Sequence, residues 1–494
     1  MMKIRKIRLK NYKIFDNLDL DFTDNEGKTL ETIILAGING CGKTTLLQLI
    51  SQIFSEGSNK FRLSTSIPLN EFTSDTDSIL CDRIAIEIEL SNSTHKAFQE
   101  LLNNYLMSSQ KINTTDDRVS TEISRILKKF NKKSKFLTFE YELRIDNDQV
   151  TIVKNDFLLF AILSSKKFSQ LAKIAYFISY ASDFYKKNNK MNINNALSKR
   201  VNGRESEILE DGIVSYIDAF TNKGEVSQYI AKSVIEKLLA NKEVVVKEAL
   251  QQSVELLNSP LIGINLTTKL IGIEDDEPIF ESFNGKKVKL KELSAGEKNL
   301  FYRSSYLKMM NLNESILLID EPEVSLHPAW QQKILGLYKN AGRNNQVVIA
   351  THSPFILSSV EPKSLFLLFQ DTEANYMTVL NMERDSQQPS KGLEPNRVLT
   401  EIMGLEYLRD AEIQEKINLM LHRMNQLRIK VNADLLDDAI QEYERKQHEI
   451  LVSVNALEEV LGINDVEIVR MKHQLYVINK LLMAKKKLLS DKKN

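Results

Sequence analysis

Gly37-Ile38-Asn39-Gly40-Cys41-Gly42-Lys43-Thr44 fits the pattern G-x-x-x-x-G-K-[ST]. Its flanks decide what the pattern means. Before it, Thr32-Ile33-Ile34-Leu35-Ala36 is a short apolar run, the mark of a strand buried on both faces. After it, Thr44-Thr45-Leu46-Leu47-Gln48-Leu49-Ile50 reads as a helix. Glycines let a backbone wrap phosphates without side-chain clash, and the loop N–H groups and helix N-terminus then face the anion. Lys43 is placed to reach the β- and γ-phosphates, and Thr44 to offer its hydroxyl to Mg²⁺. The expected ATP contacts are Gly37, Asn39, Gly40, Gly42, Lys43, Thr44 and Thr45. The alternative, a chance glycine loop, does not account for the strand before it and the helix after it. Cys41 reads as a small space-filler, since nothing nearby marks it as a reactive thiolate.

Working outward, Ile316-Leu317-Leu318-Ile319-Asp320-Glu321 is four apolar residues ending in two acids. A buried strand would deliver both carboxylates at its C-terminal tip, where open α/β sheets bind ligands. There Asp320 would hold Mg²⁺ through water, and Glu321 would orient and activate the attacking water. Standing alone, the same segment could be a strand ending in a solvated acidic turn. Leu293-Ser294-Ala295-Gly296-Glu297 precedes a helical run, and a serine there is by default an N-cap. Ala350-Thr351-His352-Ser353 follows another apolar run, Val347-Val348-Ile349-Ala350, and a lone histidine there would more often be structural.

The order P-loop, LSAGE, LLIDE, ATHS is far more specific than any one piece, and it resembles the ABC ATPase superfamily. The resemblance implies an α/β head with a mixed sheet flanked by helices. It implies that Ser294 and Gly296 of one subunit close over the γ-phosphate held by another, so that the unit is a homodimer, or a higher oligomer built on one. His352 matches the switch histidine, and Ser325-Leu326-His327-Pro328 the D-loop. Leu9-Lys10-Asn11-Tyr12-Lys13-Ile14-Phe15, Glu321-Pro322-Glu323 and Leu326-His327-Pro328 narrow the likeness to the SMC, RecF and OLD class. In transport ATPases the signature lies about 100 residues after the P-loop; here Ser294 stands 257 positions after Gly37. The resemblance covers roughly 1–95 and 286–385.

The chain has 494 residues, 42% apolar and 27% charged, with 66 basic and 66 acidic side chains. Two cysteines allow no disulfide framework, so a reducing cytoplasm is expected. The basic opening Met1 to Lys6 is followed by no apolar core, so no secretion signal is expected. Runs such as Phe157 to Leu163 fall far short of the roughly 20 residues that span a bilayer, so no membrane partner is expected. The expected organisation is an N-terminal lobe over 1–96, a mainly helical basic insertion over 97–285, a C-terminal lobe over 286–393, and a helical region over 394–494 for a partner or for dimerisation. Phe136 to Ile145 and Val150 to Val153 are strand-like stretches within the insertion.

Neutrality of the whole conceals a local excess. Residues 125–204 hold seventeen Lys/Arg and six Asp/Glu. Arg125, Lys128, Lys129, Lys132, Lys133 and Lys135 form one cluster, and Lys186, Lys187, Lys190, Lys199, Arg200 and Arg204 another. Such charge suits phosphate backbones, DNA or a retron-type nucleic acid; a solvated helical face is the alternative. An OLD-type nuclease would need Asp-x-Asp on strands, and none follows His352; the six histidines make no metal cluster. Gly392-Leu393-Glu394-Pro395-Asn396-Arg397 to Arg409-Asp410, with a short helical tail, resembles the PtuA family, the ATPases of Septu and retron-linked anti-phage systems. That resemblance implies control of a separate HNH-type nuclease subunit. A RecF-like DNA-repair ATPase is the competing expectation.

Overall fold

The computed structural model describes residues 2–54, 66–68, 81–111, 124–125, 128, 135–146, 149–156, 174–178, 214–218, 246–274, 277–371, 376–386, 389–405, 408–433 and 437–493. Two units are distinguished, Met1–Val398 and Leu399–Asn494.

In the first unit the chain runs β1 (Met2–Tyr12), β2 (Phe15–Asp21), β3 (Thr32–Ala36), α1 (Lys43–Phe54), β4 (Ser66–Pro68), β5 (Arg83–Leu90) and α2 (Asn92–Lys111). Then come β6 (Phe136–Asp146), β7 (Gln149–Asn155), β8 (Ile174–Ile178), β9 (Val214–Asp218) and α3 (Val246–Asn258). A 3-10 turn, Ser259–Ile264, leads to β10 (Thr268–Glu274), β11 (Glu277–Ser282) and β12 (Lys287–Lys289). The main elements that follow are α4 (Ala295–Met310), β13 (Ile316–Asp320), α5 (Pro328–Lys339), β14 (Gln346–Thr351), β15 (Leu365–Asp371) and β16 (Tyr376–Asn381), with short helical turns between them.

Three sheets result. The largest has the order β16-β15-β3-β14-β13-β8-β9 and is parallel except at β16. Its central strands β3, β13 and β14 are buried at every position, which is why their sequences are unbroken apolar runs rather than alternating ones. The second, β2-β1-β5-β6-β7-β4, is antiparallel. The small third sheet is β10-β11-β12.

Helix α1 belongs to the same apolar core as both large sheets. Leu46, Leu47, Leu49, Ile50, Ile53 and Phe54 are buried around nearly its whole circumference, the pattern of a core helix. Gln346 joins the sheets through polar bonds. Its carboxamide accepts from the Ile4 amide at 2.7 Å and donates to the carbonyls of Ile4 (2.8 Å) and Leu30 (2.9 Å). These bonds satisfy backbone groups beside the β1 bulge between Ile4 and Lys6, where the ladder with β5 shifts register.

Within 97–285, expected as a mainly helical insertion, the described residues include strands as well as helices. These strands join all three sheets: β6 and β7 extend the antiparallel sheet, β8 and β9 extend the main sheet beside β13, and β10 pairs with β11. Short apolar runs such as Ile174–Ile178 carry no periodicity that separates a buried strand from a buried helix segment.

The second unit is a bundle of α6 (Ala411–Ala433), α7 (Asp437–Leu461) and α8 (Val466–Lys493) around Ile417, Met424, Val454, Ile468, Met471 and Ile478. Arg409 and Asp410 build its helix ends. Asp410 accepts from the amides of Glu412 and Ile413 at the start of α6. Arg409 pairs with Asp465 at 2.8 Å, and Asp465 caps α8. The Arg409 bond, together with those from the Glu467 and Ile468 amides, outweighs burial and holds the Asp465 carboxyl below the usual aspartate range. Among the described residues no helix is long and apolar enough to cross a membrane.

Candidate functional site

The P-loop joins β3 to α1. Gly37 opens it with φ +147°, and a Cβ there would stand 2.3 Å from the Leu368 carbonyl oxygen, so the tight passage beside β15 requires glycine. Lys43 lies back over the loop, its ammonium donating to the carbonyls of Gly37 (2.8 Å) and Ile38 (2.9 Å). Cys41 is buried beneath it. Ile38, Asn39 and Gly40 are exposed, and Thr44 and Thr45 are half-buried.

Next to β3 in the sheet is β14, and next to that is β13. This order brings Asp320, at the tip of β13, to the first turn of α1. Thr44 Oγ1 donates to its carboxylate, 2.9 and 3.1 Å from the two oxygens. A hydroxyl and a carboxylate sharing one point are a hard-oxygen donor set of the kind that holds Mg²⁺ beside substrate phosphates, so the residues present fit that ion.

Glu321 leaves the strand with φ +43°, a conformation costly for a residue with a side chain and held here by its amide bond to the Ala350 carbonyl at 2.9 Å. The turn sets Glu321 Oε1 3.6 Å from His352 Nδ1. Glu323 is buried behind them. Its Oε1 accepts from the Thr351 hydroxyl at 2.6 Å and from the His352 amide at 3.0 Å. Ser353 Oγ donates to Gln331 on α5, and Gln331 donates to the Leu326 carbonyl, so the switch loop is tied to the D-loop as well. Glu323 and Gln331 were not picked out from the sequence as site residues. The only signal was the repeated acid in Glu321-Pro322-Glu323.

The signature residues stand on a different scaffold. Ser294 caps α4 in a reciprocal box: its hydroxyl accepts from the Glu297 amide, and Glu297 Oε2 accepts from the Ser294 amide at 3.0 Å. Glu297 Oε1 also takes the Thr267 and Thr268 hydroxyls. Burial opposes the Glu297 charge, but the bonds from Ser294 and the two threonines prevail and hold the carboxyl below the usual glutamate range. A Cβ on Gly296 would sit 2.6 Å from the Ser325 carbonyl oxygen, so the D-loop closes directly on the signature turn. Asn299 donates to the Val324 carbonyl from the next turn of α4. Ser294 is exposed, and among the described residues it makes no hydrogen bond to the P-loop.

Three residues of the first basic cluster, Arg125, Lys128 and Lys135, fall among the described residues. Arg125, expected as a nucleic-acid contact, is engaged by Asp156, a fully buried carboxylate that also accepts from the Glu140 amide. The Arg125 side chain itself stays partly exposed. Lys135, likewise expected, pairs with Glu89 at 3.0 Å and lies over the Phe136 ring. Lys128 is exposed. Lys129, Lys132, Lys133 and the second cluster lie outside the described residues.

With this geometry in place, similarity to known proteins decides the family. Residues 2–357 match the AAA ATPase domain family. The chain belongs to that family. Over 411 residues it is 24% identical to the retron Vc95 probable ATPase of Vibrio cholerae serotype O1 biovar El Tor, covering 74% of this chain and 73% of that protein. It is 30% identical to the Septu protein PtuA of Bacillus thuringiensis over 137 residues, which is 23% of this chain and 34% of that one. Among solved structures, an SMC head domain from Thermotoga maritima is similar at 12% identity and a TM-score of 0.36, covering 77% of this chain and 98% of that chain. This AAA-family ATPase therefore resembles ATPases named for retron and Septu defence systems.

Proposed function

We propose that the chain is the regulatory ATPase of an anti-phage defence complex, cytoplasmic, working as a homodimer or an assembly of such dimers, and controlling a separate HNH-type nuclease. The observation that carries this reading is the meeting of Thr44 with Asp320 and of Glu321 with His352, in a chain whose relatives are named as defence ATPases.

Mg-ATP, when bound, supplies a phosphoanhydride whose γ-phosphoryl is transferred to water. Lys43 exchanges the Gly37 and Ile38 carbonyls for the β- and γ-phosphates. Thr44 and Asp320 hold the metal. Glu321 orients the water and takes its proton as the new P–O bond forms and the bond to the β-phosphate oxygen breaks. His352, beside Glu321, contacts the γ-phosphate and reports its loss through the backbone that Glu323 holds. Ser294 and Gly296 close the site of the opposite copy, so nucleotide state sets how tightly two heads join.

The bundle over 399–494 is the proposed nuclease dock. Val460, Ile463, Val466 and Val469, 54–74% exposed, crowd the turn between α7 and α8, and such a patch needs a cover. Lys128, with Lys129, Lys132 and Lys133, is the proposed contact to DNA or retron-type nucleic acid, carried by the charge excess of 125–204. The test is purification of the tagged chain from its native operon, with mass spectrometry of bound protein and nucleic acid. The expected result is an HNH-type nuclease that is lost when 399–494 are deleted. Recovery of a DNA-repair loading factor and no nuclease would replace this reading with the RecF-like one.

A further inference from the structure

Lys308, Lys333 and Lys339 line one cavity of about 650 Å³ between the 3-10 turn Ser259–Ile264, the C-terminal end of α4, and α5. None of the P-loop, signature, Glu321-Pro322-Glu323 or switch residues lines it. Among the described residues, none of the three ammonium groups takes part in an ion pair or hydrogen bond. The carboxylates whose charge reaches Lys339 are already engaged, Glu31 by Lys3 at 2.8 Å and Glu361 by Lys391 at 2.5 Å. Burial first, and then the charge of Lys391, pulls the Lys339 ammonium below the usual lysine range, as expected of a cation lacking its own counter-charge.

Three unbalanced cations around one concavity focus positive potential into it. Its volume is that of a small-molecule pocket, typically about 300–1,000 Å³. Gln332 and Asn340 bring carboxamides to the wall, and Ile262, 75% exposed, brings apolar surface. A carboxylate would answer one of the lysines. A phosphate ester carries more: a monoester bears about −1.5 to −2 on a single tetrahedral group, with several strong acceptor oxygens. Lysine serves phosphate as a point charge, and the carbon skeleton of the ester has Ile262 to cover.

We propose that this cavity is a second anion site of the head, taking a phosphate ester: a free nucleotide or the phosphorylated end of a nucleic-acid strand. The test uses the full-length chain carrying Lys43→Ala, which silences the P-loop. Calorimetric titrations with AMP and with a 5′-phosphorylated oligothymidylate are compared with those in a Lys43→Ala/Lys333→Ala/Lys339→Ala variant. Exposed lysines tolerate alanine, and circular dichroism checks the fold. Lys416→Ala/Lys446→Ala on the same background is the charge control, since both residues lie on the C-terminal bundle. The proposal expects micromolar to low-millimolar binding, weakened at least tenfold by the cavity pair and less than twofold by the control pair. Equal binding of AMP and oligonucleotide identifies the source as a free nucleotide; preference for the oligonucleotide identifies a strand end. No binding at millimolar ligand, or equal losses in both variants, overturns it. Binding of a poly-glutamate peptide that depends on Lys333 and Lys339, with no phosphate ester bound, overturns it in favour of an acidic protein partner.

Discussion

The P-loop face and the signature face of the head differ in what one chain can complete by itself. On the first, segments far apart in sequence meet at hydrogen-bond or ion-pair distance: Thr44 with Asp320, Glu321 with His352, Glu323 with Thr351. On the second, Ser294 is held by Glu297 and Gly296 by the Ser325 turn and the Trp330 ring, and Ser294 is left exposed. On the first face the groups proposed for catalysis stand together; on the second, the edge proposed to close on another copy is exposed. A two-fold pairing of identical chains would bring each edge to the other's P-loop and make two equivalent sites.

The largest effects should come from the complete face. Lys43→Ala should lower nucleotide affinity and ATP hydrolysis by about 10²-fold or more, because it removes the charge facing the phosphates. Glu321→Gln should keep binding and lose about 10²–10⁴-fold in turnover, while lengthening the life of the nucleotide-bound dimer. Nucleotide titration and phosphate release separate the two variants. Wild-type turnover in Glu321→Gln would remove Glu321 as the base.

A smaller effect should come from behind the site. Glu323→Ala leaves the Thr351 hydroxyl and the His352 amide without their shared acceptor. Displacement of the switch should slow hydrolysis about 10- to 100-fold with nucleotide affinity nearly kept. Glu323→Gln retains an acceptor oxygen and should recover most of the rate. If both substitutions cost the same, it is the charge of Glu323 that matters and not its hold on the loop.

The smallest effect belongs to the signature edge. Glu297→Ala opens the capping box and should destabilise the head by about 1 kcal/mol, read as a shift in thermal midpoint. The folded-state pKa of Glu297 is depressed, so its contribution is present above the ordinary glutamate value of about 4.3 and is lost as pH falls through the folded-state value. Wild type and variant should therefore converge in strong acid. A gap that widens on acidification would contradict this.

The same contrast explains what was legible in the sequence. The P-loop and the acid-tipped strand could be read because a parallel strand buried on both faces must be an unbroken apolar run, and the chemistry sits at its end: Thr32–Ala36 before Gly37, and Ile316 before Asp320. The part Glu323 plays is not legible in the sequence, because it depends on β13 and β14 lying side by side, which no local pattern states. Arg125 is the reverse case. Composition counts its charge, and only the fold reveals Asp156 beneath it. The strands β8 and β9 are not legible in the sequence, since five residues are too few to show a period.

The central claim, that the exposed signature edge completes the site of another copy, is tested most directly by complementation. Lys43→Ala and Ser294→Arg chains, each inactive alone, are mixed, and heterodimers are isolated by two different tags. Such a heterodimer holds one site with both defects and one with neither, so its ATPase activity should return to about half that of wild type, one intact site of two. Verified heterodimers that stay as inactive as their parents would contradict a site shared between copies.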